Sequence, residues 1–182
     1  LCWGKDKALY RFAKQMVDIS SFDLIFCSSY YYFPIYAAQL LAEEYHIALA
    51  VDLRDIAEQW GDLDYFTRSI TPLKKLNYLI GKIYERKQLR KRNKILRSAN
   101  LVTSVSPWHQ NILSQHNANT HLIYNGYDAD AFVPKDIACD KFYITYLGKL
   151  YSTQLRDPRL LFEALRQLVE EQAINADLVR VL

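Results

Sequence analysis

The chain alternates between two hydrophobic periods. Short apolar, β-branched runs recur along it, separated by longer segments whose apolar residues return every three to four positions. The first period fits a strand and the second a helix. Adjacent parallel strands need a crossover of a dozen or more residues, usually a helix. Alternation of this kind therefore predicts parallel sheets wrapped by helices, an α/β fold.

The pattern can be followed in detail. Residues 5–19 carry Ala8, Leu9, Phe12, Met16 and Ile19 at helical spacing. Residues 22–27 read as a buried strand, with Cys27 as a small buried hydrophobe. Pro34 suits the first turn of a helix to about residue 45, since its missing N–H is not needed there. A second strand at 47–53 ends in Asp52-Leu53-Arg54-Asp55. A mixed stretch follows to residue 71, then a helix over 72–98 and a strand over 101–105. Ser106-Pro107 is a helix start signal, with Ser106 as the N-cap. That capping role is preferred over Ser106 acting as a nucleophile beside His109, which is expected to be polar surface. A strand over 121–124 is stopped by the turn dipeptide Asn125-Gly126.

The pattern then breaks. Residues 129–141 are mostly polar, contain Pro134 and lack a clear period, as in a linker. It restarts with a strand over 142–147, a helix with an apolar face of Leu160, Leu161, Ala164, Leu165 and Leu168, and a strand over 178–182. The reading is two doubly wound domains, 1–128 and 142–182, with the second strand set in its own sheet. In such folds ligands bind beyond the carboxyl ends of the strands. The loops at 28–33, 52–62, 104–108, 125–128 and 148–156 are the places to look.

Charge narrows the range of partners. Residues 74–97 hold ten Lys or Arg and one acid, Glu85, a net +9. The whole chain is +3, so the rest carries −6. An anionic membrane surface suits such a stretch, and a plain solvated helix is the alternative. Aromatic interleaving is lacking, so no nucleic acid is expected as partner. Leu73, Leu76, Leu79, Ile80 and Ile83, at the start of the helix, are expected to face the core. No apolar run reaches the ~18–20 residues of a membrane span. The first residues lack a secretion-signal pattern, and the three cysteines show no paired spacing. A cytoplasmic protein is expected, peripheral on the inner membrane face if residues 74–97 bind lipid, with no metal site.

One ordered set of segments carries a family likeness. It comprises Phe22-Asp23-Leu24-Ile25, Val51-Asp52-Leu53-Arg54-Asp55, Arg97-Ser98-Ala99-Asn100-Leu101-Val102-Thr103-Ser104-Val105-Ser106 and Ile123-Tyr124-Asn125-Gly126-Tyr127-Asp128 with Phe132. It continues with Ile144-Thr145-Tyr146-Leu147-Gly148-Lys149-Leu150 and Leu160-Leu161-Phe162-Glu163-Ala164-Leu165. The set resembles the GT-B glycosyltransferases, in the large family numbered four. The resemblance implies two Rossmann-like domains, both incomplete here: part of an acceptor-side domain over 1–128, a linker, and the opening of a donor domain over 142–182. It also implies a retaining, metal-independent transfer from a nucleotide-sugar, with no cofactor, to a glycan or lipid-linked acceptor. This stretch by itself is expected to be inactive.

By the same resemblance, Gly148, Lys149 and Arg156 are donor-phosphate residues, where fixed cations stabilise charge on the leaving diphosphate. Asp52, Arg54 and Asp55 are the candidate catalytic group, positioning an acceptor hydroxyl or taking its proton. An ion pair or helix cap is the plainer reading of the same residues. Tyr31, Tyr32 and Trp60 suit stacking on an acceptor, or aromatic core packing. Asn125, Gly126 and Asp128 resemble a hinge-side loop, or are simple turn chemistry. Two rivals stand beside the transferase: a non-catalytic α/β module docking on anionic membrane or nucleic acid through residues 74–97, and a GT-B nucleotide-sugar epimerase.

Overall fold

The computed structural model of the chain describes residues 4–29, 32–60, 74–134, 138–148 and 157–182. They fall into two compact units, Leu1–Gly126 and Tyr127–Leu182. No described helix is long and apolar enough to cross a membrane.

The first unit is built on a four-stranded parallel sheet in the order β1-β2-β3-β4: Leu24–Ser29, Ala48–Leu53, Leu101–Ser104 and Thr120–Leu122. Helices α1 (Lys5–Met16), α2 (Ile35–Tyr45), α3 (Lys74–Ser98) and α4 (Pro107–Ser114) precede or connect the strands. Local chemistry sets their ends. Gly4 enters α1 at φ 87°, a left-handed conformation that favours glycine. Ser106 caps α4 as expected, its Oγ accepting from the His109 amide at 3.1 Å. Asn117 Nδ2 donates to the Leu96 and Ala99 carbonyls, both at 2.7 Å, satisfying groups that the end of α3 leaves without helical partners.

Side chains alternate across the sheet with period two. One face presents Cys27, Leu49, Val51, Leu53 and Val102, which join Ile35, Ala38 and Ala42 of α2, Ile95 and Leu96 of α3 and Leu113 of α4 in a single core. The other face carries Leu24, Phe26 and Ser28 in register with Ala48, Ala50 and Asp52. There Leu24 and Phe26 are exposed. The expected thiol burial holds for Cys27, whose pKa is pushed up to about 11 by burial and then by the nearby Asp6 charge.

Several expectations need correcting. The helix read over 5–19 ends at Met16, and Ile19 is buried in a separate 3-10 turn, Ile19–Ser21. In α3, Leu76, Leu79 and Ile83 are exposed and do not enter the core. Leu73 lies outside the described residues. The same helix buries Arg92 within a segment that has Leu89 as its one apolar residue between Glu85 and Lys94. The strand read over 121–124 ends at Leu122, and Asn125-Gly126 lies beyond it in a stretch, 123–128, that forms no turn.

The second unit contains β5 (Phe142–Ile144), α5 (Arg159–Glu170) and β6 (Val179–Val181), with β5 and β6 paired in parallel in a sheet of their own. The strand expected over 142–147 is shorter than its apolar run, and Leu147 is exposed. Leu160, at the head of the apolar face expected for α5, is exposed as well.

Candidate functional site

The carboxyl ends of β1, β2 and β3 bring a polar row together. The registers align Ser28 with Asp52 and Asp52 with Thr103, so the three share one face and one level of the sheet. Asp52 is 2% exposed, yet its carboxylate is fully engaged. Its Oδ1 accepts from Thr103 Oγ1 at 2.7 Å. Its Oδ2 accepts from Ser28 Oγ at 3.0 Å and from Arg54 Nε at 2.8 Å. Paired and hydrogen-bonded in this way, a buried carboxylate is tolerated.

Arg54 links this row to the segment that follows β4. Its Nη1 donates to Asn125 Oδ1 at 2.6 Å, across 71 positions of sequence. The side chain is nevertheless 44% exposed. A guanidinium has five N–H donors in a fixed fork. Two are used here, which fixes its plane and leaves donors for an anionic or hydroxylated ligand.

Asp55 belongs to a neighbouring chain of contacts. Its Oδ1 accepts from Gln59 Nε2 at 2.9 Å, and Gln59 Oε1 lies 3.0 Å from His109 Nε2. Since the Gln59 amide nitrogen serves Asp55, its oxygen accepts and His109 carries its proton on Nε2. Nδ1 is then a buried acceptor with no partner among the described residues. His109 is buried, contrary to its expected place on the surface, and packs against Trp108 with ring centroids 5.4 Å apart. Burial lowers its pKa, while Asp55 and Glu58 pull the other way.

Next along the chain, Glu58 meets Arg92 in a two-pronged pair, Nη1 to Oε2 at 2.9 Å and Nη2 to Oε1 at 2.6 Å. The Arg92 side chain is wholly buried. Asn93 Oδ1 accepts from Arg92 Nε at 2.9 Å and from Nη2 at 2.7 Å. Burial raises the Glu58 pKa, but the hydrogen bonds and charge of Arg92 outweigh it and hold the group below its usual range.

The remaining candidates separate. Tyr32 lines a narrow cleft with Asp6, Tyr36, Gln88, Lys91 and Arg92, and burial raises the pKa of its hydroxyl. Gly126 has open space where a Cβ would sit and no positive φ. Asp128 caps a turn in the second unit, its Oδ1 accepting from the Asp130 and Ala131 amides at 3.0 and 3.1 Å. Gly148 is exposed. Tyr31, Lys149, Arg156 and the side chain of Trp60 lie outside the described residues.

Asp52, Arg54 and Asn125 are therefore brought together, with Asp55 beside them in sequence. Sequence reasoning missed Ser28, Thr103, Gln59 and His109 as their partners. Only the strand register could have revealed Ser28 and Thr103. The fold defines an α/β protein with parallel sheets, consistent with a Rossmann-like arrangement. No protein-family model matches the chain, and no curated protein matches it.

Proposed function

We propose that the protein is a glycosyltransferase that moves a sugar from a nucleotide-sugar donor to a glycan or lipid-linked acceptor. The observation that carries this reading is the half-exposed Arg54, clamped between Asp52 and Asn125 at the carboxyl edge of a parallel sheet. That edge is where ligands of open α/β sheets bind. A pre-oriented guanidinium suits hydroxyl and phosphate oxygens.

In this reading the two carboxylates divide the work. Both Asp52 oxygens accept hydrogen bonds, so Asp52 orients Arg54 and is poorly placed to take a proton. Asp55 has one oxygen engaged by Gln59 and no partner on the other among the described residues. Orienting an acceptor hydroxyl, or removing its proton, is the role assigned to Asp55. Gly148, Lys149 and Arg156 would hold the donor diphosphate. Retention of anomeric configuration and metal independence belong to the same proposal.

The test is transfer from a panel of nucleotide-sugars by the full-length protein, comparing wild type with Arg54→Ala and Asp55→Asn. Losing one charge-assisted contact of this kind costs ~1.5–3 kcal/mol, or roughly tenfold to a hundredfold in turnover. Wild-type turnover in both folded variants would remove this edge from the chemistry. Failure of wild type to use any donor would reject the transferase itself.

A further inference from the structure

The outer face of α3 carries a stripe that the core does not use. Core contact is made through Ile95 and Leu96, with buried Arg92 beside them. At 3.6 residues per turn, the opposite side of the helix is formed by Leu76, Leu79, Ile83, Arg86, Lys87, Arg90, Lys94 and Arg97. All eight are exposed. Leu76, Leu79 and Ile83 are 41, 55 and 58% exposed. The stripe therefore begins apolar and continues cationic, over about 30 Å. Glu85, the single acid of the helix, falls off it.

We propose that this stripe is an interfacial anchor that lays α3 on an anionic lipid bilayer. In this arrangement Leu76, Leu79 and Ile83 enter the boundary between headgroups and acyl chains, while the five cations pair with lipid phosphates. The choice of partner rests on charge and shape. A bilayer surface presents anionic groups and, ~5–10 Å below them, an apolar layer along one plane. The stripe offers the complement of both on one straight face. A phosphodiester backbone complements the cations but offers nothing comparable to the leucines. The −6 carried by the rest of the chain is repelled by an anionic surface, so the attraction is concentrated on this helix. The inference does not rest on sugar transfer and is tested without a donor.

The experiment is co-sedimentation of the full-length protein with phosphatidylcholine vesicles, with and without phosphatidylglycerol. Two variants separate the two contributions: Leu76→Gln with Leu79→Gln and Ile83→Gln, and Arg86→Gln with Lys87→Gln, Arg90→Gln and Lys94→Gln. Wild type should prefer anionic vesicles by roughly tenfold or more, since each cation near the surface adds to the attraction. Both variants should lose about tenfold or more. The cation variant should also lose its salt dependence, as screening has less to act on. Leu79→Trp gives a second readout that does not require removing the stripe: its indole emission should shift to the blue and be quenched by brominated acyl chains. Equal partitioning to neutral and anionic vesicles, unchanged binding by the apolar variant, or an unquenched indole in the Leu79→Trp protein would overturn the proposal. So would a dimer in solution that dissociates in the apolar variant, or oligonucleotide binding that needs both halves of the stripe.

Discussion

The two units use the same local code with different results. In Leu1–Gly126, four parallel strands and the helices around them bury a continuous core, and Val51, Leu53, Val102 and Leu96 are essentially sealed from solvent. In Tyr127–Leu182, two three-residue strands and one helix leave no described residue buried. Yet α5 has the more regular apolar period, with Leu161, Leu165 and Leu168 along one side. Amphipathic spacing is thus a demand for a partner surface and not a source of stability. Most helix stability comes from packing the apolar face, and a two-stranded sheet offers little to pack against. Polar groups follow the same contrast. Arg92 is buried because Glu58 and Asn93 engage its guanidinium on several sides. Arg159 makes a similar pair with Asp157 in the second unit, but its side chain is 72% exposed and its ion pair competes with water.

The largest effect should come from that buried pair. Glu58→Ala strands a buried guanidinium, which typically costs ~3–5 kcal/mol. Denaturant unfolding of the variant should show the loss, while hydrogen exchange in α5 stays as in wild type. Asp157→Ala is the control and should leave stability close to wild type, because that pair competes with water. Equal costs for the two would mean that burial does not distinguish the units.

A second contrast tests apolar packing. Leu96→Ala empties a fully buried position and should cost ~2–5 kcal/mol. Leu160→Ala removes a side chain that is 74% exposed and should stay within ~0.5 kcal/mol. Chemical denaturation of both variants measures the difference. A large cost at Leu160 would show that α5 finds a packing partner in solution.

The same contrast explains what could be read in advance. Periodicity located each strand and α-helix, because each depends mainly on its own residues and their neighbours: Ser106 caps α4 whatever the sheet does. It misjudged burial, because burial depends on what lies opposite. Leu76, Leu79 and Ile83 have a helical repeat that suits a core, but α3 meets the core further along, at Ile95 and Leu96. At the candidate site, Asp52, Arg54 and Asn125 could be picked out as strand-end residues, whereas the Ser28–Asp52–Thr103 row depends on register, which a one-dimensional period does not fix. His109 was misplaced because the partner that satisfies its ring, Gln59, lies fifty positions away.

The smallest expected effect is a pH dependence that also divides the units. All four histidines of the chain, His46, His109, His116 and His121, lie in the first unit. Burial lowers the pKa of both His109 and His116 from 6.5; Arg92 and Arg97 add to the lowering at His116, while Glu58 opposes it at both and Asp55 at His109. Folding therefore favours their neutral forms. Below about pH 6.5 the unfolded chain binds protons that the folded chain resists, so unfolding is driven by acid. The contribution of each histidine is present above 6.5 and is lost as pH falls through its lower folded value. The first unit should be less stable at about pH 5.5 than at about pH 7.5. His109→Gln should flatten that decline, because an amide can still donate to Gln59 but does not titrate in this range. Denaturation midpoints at the two pH values, for wild type and variant, make the comparison. An equally steep decline in His109→Gln and in a His116→Gln variant would place the proton uptake elsewhere in the first unit. A decline that appears first in the hydrogen exchange of α5, in a unit with no histidine, would remove the distinction between the two regions at near-neutral pH.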